Sequence, residues 1–295
     1  MPRLHLILLL VVFACKGGVS DALTAPPASP DRASECSEPK QGRIWCDDFE
    51  SDRTSSYFEY DTAGGSFVRV AGVGISGSAG MRVRWKPGQV GAGSLHLAFG
   101  KTPSSYIKPV DAGTANYREL YWRMYVRFQD GWTGGGGDKL SRAIVFASSD
   151  WAEAAISHVW SMKTNFVGLD PASGTDTFGT LKTTVYNDNP NLRWLGAQSS
   201  ATPIFDAEHV GKWYCVEAHM KLNDVGESNG VNELWVNDAL EAQATTLNWL
   251  GIFNDYGINA VFFENYWNDG SPTTQERYFD NIVVSTQRIG CGATP

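Results

Sequence analysis

An ammonium, an imidazole and a phenol brought together can neutralise an anion and move a proton, and three residues of this chain have those types in suggestive settings. Lys139 follows a run of four glycines in GGGGDKLSR, His158 lies in AAISHVWS, and Tyr186 lies in LKTTVYND. The imidazole titrates near neutral pH and suits a base; the phenol suits a base or an acid. Each also has an ordinary reading, as a solvated loop lysine, a strand histidine and a tyrosine that packs its ring. Arg123 and Arg127 alternate with Tyr121 and Tyr125, so one strand face would offer bidentate donors for carboxylates and rings for sugars. Lys182 would share the face of Tyr186 if that segment is extended. Other chemistries fail on spacing. Gly72-x-Gly74-x-x-Gly77 runs into the strand-like MRVRW where a dinucleotide fingerprint needs a helix. Gly100-Lys101-Thr102 has Leu95 where a phosphate loop needs glycine, and there is no His-Glu-x-x-His or Gly-x-Ser-x-Gly.

The elements that must position these groups follow from composition and pattern. The chain has 295 residues, 42% hydrophobic and 19% charged, enough for a full core. Its formal charge of −8 argues against coating nucleic acid, which requires excess Lys and Arg. Arg3 and the apolar run Leu4 to Ala14 read as a signal peptide over 1–14, too short for a spanning helix. Val12-Phe13-Ala14-Cys15 reads either as a cleavage site or as a lipobox that acylates Cys15, so export is expected, secreted or as an envelope lipoprotein. Membrane contact then comes only through that lipid. Residues 15–35, rich in Gly, Ala, Ser and Pro, form a flexible tether. Cys36, Cys46, Cys215 and Cys291 suit two disulfides in an oxidising compartment, with three pairings open.

From residue 36 to 295 no second low-complexity break and no repeat is found, which reads as one domain and a monomer. Period two dominates. In YRELYWRMYVRF (117–128) Leu120, Trp122, Met124, Val126 and Phe128 alternate with polar and aromatic residues. Trp213 to Leu222 behaves alike, and further strands are expected at 81–85, 94–99, 143–147, 181–186, 233–236, 260–266 and 278–285. Helix is favoured locally only at 150–156. The expected fold is all-β, a two-sheet antiparallel β-sandwich of the jelly-roll kind. Asp47, Asp48 and Glu50 near the first strand and Asp280 near the last could gather oxygen ligands for a structural Ca²⁺, with the loop Asp170 to Asp176 a weaker alternative. No cofactor is otherwise required.

Order and spacing of several segments resemble the concanavalin A-like jelly-roll polysaccharide lyases, most closely family 14, which act on alginate and other polyuronates. The segments are YVRFQDGW (125–132), GGDKLSR (136–142), WYCVEAHMKLN (213–223), NGVNELWVND (229–238), AVFFENYWND (260–269) and YFDNIVVST (278–286). The resemblance implies β-elimination on an acidic polysaccharide: the C5 proton is removed, the enolate is stabilised, and the glycosidic oxygen is protonated. Lys139 matches the lysine of the family's Lys-Leu motif and would neutralise the uronate. Tyr186 resembles the tyrosine of the family's lyase strands, and His158 would assist as base. Near Ser157 the chain departs from the family, whose motif carries arginine there. A non-catalytic carbohydrate-binding lipoprotein and a structural envelope lipoprotein are the rival readings.

Overall fold

Alternating burial along the chain becomes sixteen strands, with 3-10 turns and no α-helix among the described residues, which are 35–163 and 165–292 of this computed structural model. The leader, Cys15 and tether residues 15–34 lie outside them. In chain order the strands are β1 (Arg43–Asp47), β2 (Glu59–Asp61), β3 (Phe67–Val70), β4 (Gly80–Trp85), β5 (Gly91–Ala98), β6 (Glu119–Phe128), β7 (Lys139–Phe146) and β8 (Glu153–Lys163). They continue as β9 (Phe166–Ser173), β10 (Arg193–Trp194), β11 (Gln198–Pro203), β12 (Trp213–Lys221), β13 (Gly230–Val236), β14 (Ala239–Leu247), β15 (Ala260–Tyr266) and β16 (Gln275–Ser285).

Two sheets of eight strands stack face to face. The back sheet runs β14-β13-β12-β6-β16-β4-β3, with β1 also on β16; the front sheet runs β10-β9-β8-β7-β15-β5-β2, with β11 also on β9. The pairings between strands are antiparallel, so the all-β sandwich expected from periodicity is the observed architecture. Inward residues of β6 meet Leu95, Leu97, Val145, Val159, Val261 and Phe263 of the front sheet to form the core. A smaller apolar layer, including Ile144, Phe146, Ile156 and Phe262, lies on the outer face of the front sheet, with Phe58, Trp151 and Tyr186 packed against it.

Two local expectations are corrected. Residues 153–163 form strand β8, although Ala and Glu there favour helix, because pairing with both β7 and β9 buries Ala154, Ala155 and Ile156. Tertiary burial outweighs a propensity difference of a few tenths of a kcal/mol. Residues 181–186 are a loop with only an isolated bridge at Leu181, since Lys182 N bonds the Gly174 carbonyl and Thr183 Oγ1 bonds the Glu153 carbonyl at 2.8 Å. Asn187, in the left-handed region at φ 56°, turns the chain sharply after Tyr186.

The four cysteines pair as Cys36–Cys46 and Cys215–Cys291. The second bridge pins the C-terminal segment to β12 across 76 residues of sequence. Opening it with Cys215→Ser/Cys291→Ser should cost about 2–4 kcal/mol in urea unfolding, and a loss under ~0.5 kcal/mol would show that the segment holds without it.

Candidate active site

The outer face of the front sheet carries one continuous cross-strand row. Glu59 pairs with His96, His96 with Phe262, Phe262 with Arg142, Arg142 with His158, and His158 with Asp170, one residue from each of β2, β5, β15, β7, β8 and β9. At ~4.8 Å per strand the two imidazoles stand ~14 Å apart. Along the strands Ser94 pairs with Glu264 and Lys139 with Trp160, adding a second row. Above them opens a cleft of about 670 Å³ lined by His96, Lys139, His158, Trp160, Tyr186, Asn187, Trp194, Glu264 and Tyr266, among others. The three residues proposed for proton and charge chemistry, Lys139, His158 and Tyr186, therefore converge.

Lys139 owes its place to the glycines before it. A Cβ on Gly136 would lie 2.4 Å from the Phe205 ring, and Gly134, Gly135 and Gly137 all take positive φ. The run threads between aromatic rings, and Arg277 then ties its end by donating to the carbonyls of Gly136 and Lys139. The ammonium lies 5.0 Å from the centre of the Tyr266 ring. Burial lowers its pKa, while Glu264 opposes the shift.

Arg142, only 1% exposed, is the hub of the floor. It donates to Glu264 Oε1 at 2.9 Å, Asn187 Oδ1 at 2.9 Å, Glu153 Oε1 at 3.4 Å and the Tyr186 hydroxyl. Glu153 Oε2 accepts from the Asn187 backbone at 3.0 Å, so the loop carrying Tyr186 is fastened to the guanidinium by two routes. Burial raises the Tyr186 phenol well above its ordinary pKa, Glu264 adds to this, and Arg142 opposes it, so the group rests protonated. Burial alone would raise Glu264, but Arg142 and Lys139 outweigh it and hold the carboxyl ionised. Its Oε2 is buried without a hydrogen-bond partner. Glu153, fully buried, is pushed up from 4.5 to about 7, chiefly by burial.

His158 bonds the Asp170 carbonyl through Nδ1 at 2.9 Å; a carbonyl only accepts, so Nδ1 carries the proton. Burial first and Arg142 second depress this imidazole to about 3. Its ring stacks on Trp160 at 4.4 Å and on Trp194 at 5.6 Å. Trp194 is 44% exposed at the cleft wall. On the other flank His96 lies flat on Phe262, 3.6 Å between ring centres, and bonds Glu59 through Nδ1 at 2.8 Å.

Other expected site residues lie elsewhere. Tyr121, Arg123, Tyr125 and Arg127 point outward from β6 in the back sheet and do not line the cleft. Arg123 is buried on Glu35 and the carbonyls of Gly290 and Asn281; Tyr125 donates to the Cys291 carbonyl; Arg127 lies over Trp213 and Tyr278; Tyr121 stacks on His219. Lys182 is exposed and pairs with Asp176 at 3.0 Å, away from the cleft. Of the carboxylates considered for Ca²⁺, Asp47 accepts from Phe49 N and Tyr57, Glu50 from Ala79 N, and Asp280 from Ile75 N, Ser78 and Asn281 N. Asp48 accepts from Cys36 N and Glu50 N. Asp170 lies within β9, and Asp176 receives Lys182. Among the described residues no group of three or more His, Cys, Asp or Glu is arranged to hold a metal ion.

His96, Arg142, Glu153, Glu264, Trp160 and Trp194 escaped sequence reasoning. For His96, Arg142 and Glu264 the signal was period-two placement: each occupies the outward parity of its strand, but which strands are neighbours is not written in any one of them.

No protein-family profile and no curated protein sequence matches the chain. Solved structures do. A glucuronan lyase from the fungus Trichoderma reesei matches with TM-score 0.58 at 12% identity, covering 83% of this chain and 96% of that one. A family 14 alginate lyase from Aplysia kurodai gives 0.56 at 12%, covering 83% and 99%, and an alginate lyase from Chlorella virus gives 0.52 at 15%, covering 78% and 99%. The chain has the jelly-roll fold of these polysaccharide lyases.

Because the folded protein holds the Glu153 proton more tightly than the unfolded chain, this residue's contribution to stability is full below pH 4.5 and is lost as pH rises through about 7. Glu153→Gln removes that dependence. Measured by denaturant unfolding, the stability of wild type relative to Glu153→Gln should fall by on the order of 1–3 kcal/mol from pH 4 to pH 8. A pH-independent difference would contradict the burial of a titrating carboxyl here.

Proposed function

We propose that the chain is an exported polysaccharide lyase that cleaves a uronate-containing polysaccharide by β-elimination. The carrying observation is that an ammonium, a guanidinium-held phenol and imidazoles meet in one cleft of the front sheet. The lyase names of the fold's solved relatives agree with it. Two disulfides and the apolar N-terminal run agree with export.

In this scheme Lys139 meets the substrate carboxylate. Abstraction of the C5 proton spreads negative charge onto that carboxylate, so a partly buried cation there stabilises the transition state more than the ground state. The C5 proton passes to an imidazole of the cleft. Tyr186, resting protonated, gives its proton to the glycosidic oxygen as the C4–O bond breaks and a C4=C5 double bond forms. Arg142 stabilises the phenolate left behind. Glu264 Oε2, buried and unpartnered, accepts a sugar hydroxyl, which would relieve its desolvation. Trp194 offers its exposed ring to an adjacent sugar. The scheme assigns no step to a cofactor.

Incubation with alginate, glucuronan and other polyuronates should yield unsaturated ends, read as ultraviolet absorbance of the new double bond. Lys139→Ala and Tyr186→Phe should each lower kcat/KM about 10²-fold or more while oligouronate binding persists. Oligosaccharide binding without unsaturated product from any polyuronate would instead make the chain a carbohydrate-binding protein. For Trp194→Ala, KM should rise several-fold on long oligosaccharides with kcat nearly unchanged, since the ring contacts a sugar that does not react; an unchanged KM would remove it from the binding surface.

A further inference from the structure

We infer that His96, held by Glu59, is the base that takes the C5 proton, an assignment that rests on the elimination proposed above. Two imidazoles border the cleft, and their partners differ in kind. The Nδ1–H of His158 meets the neutral backbone carbonyl of Asp170, its row neighbour on one side; Arg142 is its row neighbour on the other, and Arg142 and Lys139 both disfavour a positive charge on the ring. A proton arriving on that ring would create a third positive charge with no carboxylate hydrogen-bonded to it. His96 has the opposite setting. Its Nδ1 lies 2.8 Å from Glu59 Oε2, and Glu59 is held below the ordinary carboxylate range, first by that hydrogen bond. Tyr106 donates to the other oxygen, Glu59 Oε1, at 2.6 Å, which fixes the carboxylate.

Orientation follows from the same contacts. With Nδ1–H directed to Glu59, the lone pair belongs to Nε2, and stacking on Phe262 fixes the ring plane. A carboxylate behind an imidazole sets its tautomer and stabilises the imidazolium that forms during proton abstraction, which a carbonyl does less well. The charged or titratable groups facing His96 are Glu59 from β2, Tyr106 from the loop after β5 and Glu264 from β15, with Arg142 one strand beyond Phe262.

The step balances without an added reactant. Nε2 of His96 gains the C5 proton, the C5–H electron pair becomes the C4=C5 bond, and the C4–O pair leaves on the glycosidic oxygen, which takes the Tyr186 proton. Solvent then carries the His96 proton back to the Tyr186 phenolate.

The test uses the full mature chain and a polyuronate on which unsaturated product is followed. His96→Gln should lower kcat/KM about 10²-fold or more with its thermal midpoint and oligouronate binding retained, and added imidazole should partly restore His96→Ala. Glu59→Gln, a positioning variant, should shift the acid limb of the kcat/KM profile to lower pH, because the imidazolium loses its counter-charge; a merely structural carboxylate would leave the limb in place. An active wild type with His96→Gln within tenfold of it, or with the acid limb abolished by His158→Gln and kept by His96→Gln, overturns the assignment alone. A wild type inert on every polyuronate overturns the elimination and this assignment together.

Discussion

A guanidinium buried on the outside of a sheet is the constraint from which the site follows. Desolvating a cation is costly unless carboxylates and hydrogen-bond acceptors surround it, and losing one partner of such a pair typically costs about 3–5 kcal/mol. Arg142 meets this demand with Glu264 from the neighbouring strand, Glu153 from β8, and Asn187 and Tyr186 from the loop between β9 and β10. Those partners must therefore stand where they do. The loop is irregular, yet the phenol it carries is located by a charge on a central strand, so a side chain borne by a loop gains the precision of the sheet.

Lys139 is placed by a different force, with the same effect. Here packing decides: Trp132 and Trp267 stack at 5.4 Å, Phe205 closes on Gly136, and only a chain without Cβ atoms passes between them. The glycine run, noticed in the sequence for its composition, is thus a steric requirement of the core that happens to deliver an ammonium to the cleft edge. Charge fixes one side of the site and apolar packing the other.

The fold was legible because alternation in 117–128 and 213–222 reports directly which residues face a core. Lys139, His158 and Tyr186 were legible as residue types, and they share the cleft. Illegible were the pairings. Tyr121, Arg123, Tyr125 and Arg127 have the outward parity of a binding face, but parity does not say what covers a face, and the segment pinned by Cys215–Cys291 closes over Arg123 and Tyr125. His96 occupies the same parity in a strand with no polar motif and gains meaning only beside Glu59, 37 residues away. Helix propensity at 150–156 misled because it is local to the segment, whereas the burial that decides comes from pairing with β7 and β9 on either side.

A net charge of −8 looks ill-suited to the polyanionic substrate proposed above until distance is considered. Exposed carboxylates act through water and salt, where a Debye length of ~8 Å mutes them. Lys139 and Arg142 act within a cleft whose walls are Trp160, Trp194, Tyr186 and Tyr266, at lower effective dielectric and at contact range. Arg142 is largely offset by Glu264, whereas Lys139 pairs with no carboxylate within 4.0 Å among the described residues. In the elimination proposed above, the uronate carboxylate pairs with Lys139 at the position where charge grows as the C5 proton departs.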